Sequence, residues 1–176
     1  MALALAIGSK IGLAPVLLLD RSPFSKPLGQ DIRTVRNRDL PMFTVIHQFT
    51  SAQVEQLHQM YLQEWWSNER VLADMQRLLA NSDLLFGLWD EEAQRLAGFC
   101  RVLTDWVYRA IVFDVIVAAD YRGQGLGTEL IEQVTHHPKL SQVECIQLFC
   151  MADMQPFYEK YGFGQPEQLL MLRPRG

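Results

Sequence analysis

Cysteine is scarce in this chain: three occur in 176 residues, Cys100, Cys145 and Cys150. None stands in a Cys-x-x-Cys pair, which excludes a zinc ribbon and a disulfide scaffold. The three read as small core residues in a reducing compartment, so a cytoplasmic location is expected. Four histidines, His47, His58, His136 and His137, show no ligand spacing, and no metal is expected. A positive surplus is missing too. Sixteen Lys and Arg stand against twenty Asp and Glu, a net charge of −4, which gives no electrostatic reason to expect nucleic acid as a partner. There is no internal repeat and no low-complexity run. What remains is 49% hydrophobic and 20% charged, enough for one globular domain with a core.

The first forty residues differ from the rest. Met1 to Leu19 is apolar, but Gly8, Ser9, Lys10, Gly12 and Pro15 interrupt it. A signal or membrane anchor there would lack a positive n-region and carry a lysine mid-run. Asp20 to Pro41 is rich in charge, proline and turn formers. A poorly ordered extension over residues 1–41 is the main expectation, or a natural start at Met42. A transit peptide is a further alternative, weakened by Asp20, Asp31 and Asp39. The folded domain is expected over residues 42–176.

Within that domain the pattern alternates. Phe43 to Phe49 reads as a strand. Thr50-Ser51-Ala52-Gln53 has the form of a capping box. Behind it Val54, Leu57, Tyr61, Leu62 and Trp65 recur at helical spacing. Asn68 can cap a second helix with Val71, Leu72, Met75, Leu78 and Leu79 on one face. Strands follow at Leu84–Trp89, Leu96–Leu103 and about Val107–Val117. A helix from about Gly125 stops at Pro138. Then come a strand over Val143–Cys150, a short helix opened by Pro156 and closed by Gly162, and a last strand over Leu169–Leu172. The sum is a mixed α/β layer.

The glycines concentrate the chemistry. A buried-looking strand ending Val115-Ile116-Val117 runs into Asp120-Tyr121-Arg122-Gly123-Gln124-Gly125-Leu126-Gly127-Thr128 and then a helix. Three glycines at alternate positions strip side chains from the turn. Backbone N–H groups can then converge ahead of a helix N-terminus, which makes an anion site for a phosphate or pyrophosphate. No Lys-Ser or Lys-Thr follows, so the turn is not a P-loop. A Gly-x-Gly-x-x-Gly fingerprint started at Gly123 would end on Thr128, so it is not a dinucleotide turn either.

What remains, Arg122-x-x-Gly125-x-Gly127 between strand and helix, resembles the acyl-CoA signature of the GNAT superfamily of N-acetyltransferases. Phe157-Tyr158-Glu159-Lys160-Tyr161-Gly162-Phe163 is similar to the family's late helix and turn. The resemblance covers roughly Phe43 to Leu172. It implies a mostly antiparallel central sheet flanked by helices, with acetyl-CoA as co-substrate. It implies that the N–H groups of Gln124, Gly125, Leu126, Gly127 and Thr128 hold the pyrophosphate, in a turn that includes Arg122 and Gly123, where side chains at Gly125 or Gly127 would collide with the phosphates. Backbone groups near Val115, Ile116 and Val117 would meet the pantetheine arm and the acetyl oxygen. Tyr158 would protonate the leaving thiolate, and a homodimer is one expected state.

The acceptor side is read from residue types. Asp114 is ionisable within the apolar run Ile111–Val117. Burying it unpaired is costly, so it either serves the site, as amine-binding group or base, or pairs with Arg101 or Arg109. Strand parity puts it on the face of Val112 and Ile116. Asp105 reads as a turn residue. Trp66, Trp106 and Tyr108 are candidates to wall a pocket for a small amine, whereas Trp65 fits the helix core. Met151 stands where many family members carry a CoA-touching asparagine. The expected reaction is acetyl transfer from acetyl-CoA to a primary amine by direct attack. A non-catalytic acyl-CoA sensor and a protein or peptide N-acetyltransferase are the alternatives.

Overall fold

The structure is a computed structural model, and it describes residues 34–35, 43–167 and 170–173. The expected N-terminal extension, apart from Thr34–Val35, lies outside the described residues. Among the described residues six strands lie in one sheet in the order of the chain: β1 (Thr34–Val35), β2 (Phe43–Ile46), β3 (Leu84–Asp90), β4 (Arg95–Thr104), β5 (Arg109–Val117) and β6 (Cys145–Leu148). All neighbours pair antiparallel except β5 and β6, which are parallel. The mixed, mostly antiparallel sheet expected from the sequence is therefore present.

Helix α1 (Ser51–Leu62) begins where the capping box places it. The Gln53 N–H donates to the Thr50 hydroxyl, and the Thr50 N–H donates to the Gln53 side chain. Each contact satisfies an amide the helix cannot use. Val54, Leu57, Met60 and Tyr61 form its buried face. The helical phase misled for Trp65: α1 ends at Leu62, and Trp65 is 70% exposed. Helix α2 (Leu72–Ala80) is capped at Val71 without a side-chain bond, so Asn68 does not cap it. Of the face expected there, Met75 is fully buried, but Val71 and Leu72 are exposed.

Helix α3 (Leu126–Thr135) packs on the opposite face of the sheet from α1. Phe99 points at Tyr61 of α1, while its neighbour Gly98 faces α3. A Cβ on Gly98 would stand 3.3 Å from the Leu130 side chain, so the missing side chain lets α3 lie close to the strand. Helix α4 (Gln155–Glu159) opens with Pro156 and is followed by Gly162 at φ 84°. The expected last strand is not formed at residues 170–172, whose side chains are exposed; Leu169 lies outside the described residues.

Asp90 closes β3 and is 3% exposed. Its carboxylate accepts the Glu92 and Ala93 N–H groups at 3.0 and 2.9 Å and the Tyr121 hydroxyl at 2.8 Å. Desolvation would raise its pKa, but these donors together outweigh it and hold the carboxyl below its ordinary 3.8. A depressed carboxylate adds stability above its unfolded value and loses it as pH falls below that value. Asp90→Ala is expected to cost about 2 kcal/mol near neutral pH and to remove part of the acid limb below about pH 4. Urea melts of both proteins across pH 2–7 check this.

Candidate active site

The parallel pairing of β5 and β6 ends at Val112 and Leu148. Beyond it β5 runs on to Val117 without β6, so the strands part. A β-bulge lies just past the parting. Arg101 pairs with Phe113 and Phe99 with Ile116, so two residues, Asp114 and Val115, stand against Cys100 alone. Asp114 takes a left-handed φ of 56°. The bulge cancels the parity expected from the sequence. Val112 pairs with Val102 and Ile116 with Phe99, and those two positions of β4 point to opposite faces.

The carboxylate of Asp114 is 4% exposed and paired twice. Arg101 Nε donates to one oxygen, and Arg70 Nη2 to the other at 3.3 Å. Arg109 is elsewhere, against Glu144. Arg70 also lies over the rings of Tyr61 and Trp66, at 4.5 and 5.3 Å. The fully buried Tyr61 hydroxyl sits beside this carboxylate without a hydrogen bond of good geometry. Burial, then the Asp114 charge, pushes the Tyr61 phenol far above its usual range. Removing Asp114 would strand Arg101, whose side chain is 13% exposed. Asp114→Ala is therefore expected to cost about 3–5 kcal/mol of stability, read as a lowered denaturant midpoint. Arg109→Ala, which touches only the exposed pair with Glu144, is the control and is expected to leave that midpoint almost unchanged.

The glycine turn follows β5. Gly123 and Gly125 have φ of 77° and 83°, and Gly125 is the N-cap of α3. A Cβ at either would meet nothing within 4 Å, so their open side is free of protein. No hydrogen bond among the described residues takes up the N–H groups of Gln124, Gly125, Leu126, Gly127 or Thr128. The positive end of α3 adds to them. At Gly127 the space is used differently: a Cβ would stand 3.5 Å from the Phe157 ring of α4. Arg122 donates through Nε to the Val117 carbonyl at 3.1 Å and through Nη2 to Glu64 at 2.6 Å.

Tyr158, on α4, is 8% exposed and packs edge-on against Phe157 and Phe163. Burial first, then the Cys150 and Cys100 thiols, push its phenol up to about 12, so it keeps its proton at any physiological pH. Tyr161 is occupied otherwise; its hydroxyl donates to Thr128 at 2.7 Å and ties the turn after α4 to the first turn of α3. Met151 is exposed in the segment between β6 and α4.

The three aromatics do not form one wall. Trp66 lines a cleft of about 590 Å³ built by the α1–α2 connector, with Trp65, Arg70 and Asp74 among its other walls. Trp106 and Tyr108 lie at the β4–β5 turn, which is six residues before the bulge and so about 20 Å along the strand. There Asp105 accepts the N–H groups of Val107, Tyr108 and Arg109, the turn role expected of it, and Lys139 lies over Trp106. Of the two partners expected for Asp114, Arg101 is the one it meets; sequence reasoning missed Tyr61 and Arg70 at the bulge and Glu64 at Arg122. Their spacing carries no signal, because tertiary packing alone brings them together.

The Acetyltransferase (GNAT) family model matches residues 47–163, a span that holds the parted strands, the glycine turn and α4. The chain belongs to the GNAT family. It is 32% identical over 121 residues to the "Uncharacterized N-acetyltransferase ycf52-like" of Prochlorococcus marinus, covering 68% of this chain and 67% of that protein. It is 31% identical over 97 residues to the ycf52 N-acetyltransferase of Pyropia yezoensis, covering 54% of this chain and 56% of the relative, so the match spans little more than half of that protein. Among solved structures, a GNAT-family protein of Xanthomonas campestris superposes with a TM-score of 0.68 at 29% identity over 77% of this chain and 95% of its own. The glucosamine-6-phosphate N-acetyltransferase of Arabidopsis thaliana shares the fold with a TM-score of 0.62 at 16% identity over 74% of this chain and 97% of its own. The family is one of acetyltransferases and typically uses acetyl-CoA. Among the described residues no helix is long and apolar enough to cross a membrane.

Proposed function

We propose that this GNAT enzyme transfers the acetyl group of acetyl-CoA to the primary amine of a small molecule, by direct attack through a tetrahedral intermediate. The observation that carries the reading is the row of five unclaimed N–H groups from Gln124 to Thr128 at the positive end of α3. They suit the diphosphate of coenzyme A. Arg122, Gly123 and the amides of the turn hold that diphosphate. Val115, Ile116 and Val117 offer main chain to the pantetheine arm where β6 has left β5. The thioester then lies in the gap between the strands, with Tyr158 as the acid.

Three demands follow from the chemistry. The amine must be neutral to attack, the oxyanion needs donors, and the thiolate must leave. Acetyl-CoA would supply the acyl group as its thioester, with free coenzyme A as the leaving thiol. The main chain at the bulge supplies a donor for the oxyanion. Tyr158 keeps its proton at neutral pH and donates it to the sulfur as the C–S bond breaks, and the proton that the attacking nitrogen loses restores the phenol, so the sum is amide and free thiol. Asp114, pinned by two guanidinium groups, serves by fixing the bulge and orienting Arg70 rather than by taking a proton. Trp66 contacts the acceptor in the connector cleft. Trp106 and Tyr108 are left without a part in it.

A protein acceptor is the second reading. It is favoured by a soybean relative named "Histone acetyltransferase TAP1", 36% identical over 72 residues. A cytoplasmic location belongs to the proposal as well, although a chloroplastic relative from Arabidopsis thaliana is 32% identical over 73 residues. Thiol release from acetyl-CoA, measured against small amines, polyamines, amino acids and lysine peptides, tests the acceptor class. Turnover with small amines alone is the expected result; turnover with peptides alone selects the second reading, and no release with any of them sinks both.

A further inference from the structure

The connector between α1 and α2 carries a carboxylate that faces the cofactor side instead of its own cleft. Glu64 directly precedes Trp65 and Trp66, which line the cleft. Its side chain is 18% exposed and reaches Arg122 at 2.6 Å. Arg122 belongs to the turn assigned above to the diphosphate. A dianionic diphosphate and a single carboxylate therefore compete for one guanidinium.

The backbone around Glu64 is fixed independently of this pair. Its N–H donates to Tyr61 and its carbonyl accepts the Ser67 N–H. Ser67, 4% exposed, donates its hydroxyl to the Tyr61 carbonyl at 2.8 Å. Loss of the ion pair thus frees a side chain and leaves the connector in place.

We propose that Glu64 is a positioning residue shared by the two substrates: it holds Arg122 while the cofactor site is empty, yields it to the diphosphate of coenzyme A, and its freed carboxylate then faces the ammonium of the acceptor beside Trp65 and Trp66. This rests on the assignment of the glycine turn to coenzyme A. By linkage, a cofactor that releases this charge strengthens binding of a cationic acceptor, and the acceptor strengthens binding of the cofactor.

The test uses CoA as the probe on the full chain. Glu64→Gln removes the competing charge, so CoA measured by calorimetry binds about three- to fivefold tighter, the strength of one partly exposed ion pair. Glu64→Asp keeps the charge and returns the affinity toward wild type. CoA shifts the tryptophan emission of the wild type as the carboxylate swings past Trp65 and Trp66, and this shift is absent in Glu64→Gln. A merely structural Glu64 would change stability and neither of these. Unchanged or weaker CoA binding in Glu64→Gln, with wild-type CoA binding intact and Arg122→Ala weakened, overturns the role of Glu64 alone. No CoA binding by the wild type overturns that role together with the turn assignment.

Discussion

Gly125→Val is expected to give a folded protein whose affinity for CoA falls by at least about 100-fold, some 2.7 kcal/mol of binding. The expectation has two parts. Gly125 sits at φ 83°, where a β-branched residue is strained, at a cost of about 1–3 kcal/mol. The new side chain meets no protein atom within 4 Å of its Cβ, so the fold has room for it. The room it fills is the side of the turn where the amides of Gln124 to Thr128 are unclaimed, and the ligand loses both space and donors. Gly162→Ala is the control. It carries a left-handed φ of 84° with the same empty surroundings, and it is expected to lose stability while keeping CoA affinity. Calorimetric titration of both variants, with circular dichroism to show that each is folded, decides the matter. CoA affinity unchanged in Gly125→Val would remove the diphosphate from this turn.

Tyr158→Phe is expected to lower kcat by about 10²-fold, the usual worth of a placed general acid, with CoA affinity within about twofold of wild type. The structure separates this effect from unfolding. The Tyr158 hydroxyl makes no hydrogen bond among the described residues, so its deletion leaves no stranded partner and costs little stability. The ring stays packed against Phe157 and Phe163. The direction of its pKa adds a second check. Burial favours the neutral phenol and raises the value to about 12, so the acid keeps its proton until pH approaches that value. In the wild type any fall of kcat between pH 7 and 10 must come from another group. Full turnover in Tyr158→Phe would return the residue to packing.

Local signals in the chain were the readable ones. The capping box at Thr50 and Gln53, the glycine turn, Pro156 and Gly162 each act within a few residues, and each fixes its element where it was expected. Elements set by distant contacts were not readable. Alternation along β5 gave a wrong face for part of the strand because a bulge adds one residue, and it does so at Asp114, whose short polar side chain tolerates the left-handed φ better than most residues. Trp65 continued the apolar phase of α1 past the true helix end. Asn68 had the chemistry of a cap, yet the chain turns through the connector instead. The apolar residues near the C-terminus had strand composition and form no strand at 170–172. Of the candidate site, the residue types at the turn and at Tyr158 were legible. Arg101 was one of two partners offered for Asp114, and the structure selects it over Arg109; the pairings of Asp114 with Arg70 and of Arg122 with Glu64 needed the packed structure.

The extra residue at Asp114 also sits where β5 and β6 stop pairing. Two regular parallel strands would zip together along their full length, and β5 and β6 do so only up to Val112 and Leu148. One surplus amino acid, set against Cys100 and fastened by two arginines, lies immediately beyond that point, and a bulge bends the strand that carries it. Deleting it is expected to restore regular alternation along β5 and so to narrow the gap beside β6. On the proposed reading, the opening for the thioester is encoded by a single added residue in the chain.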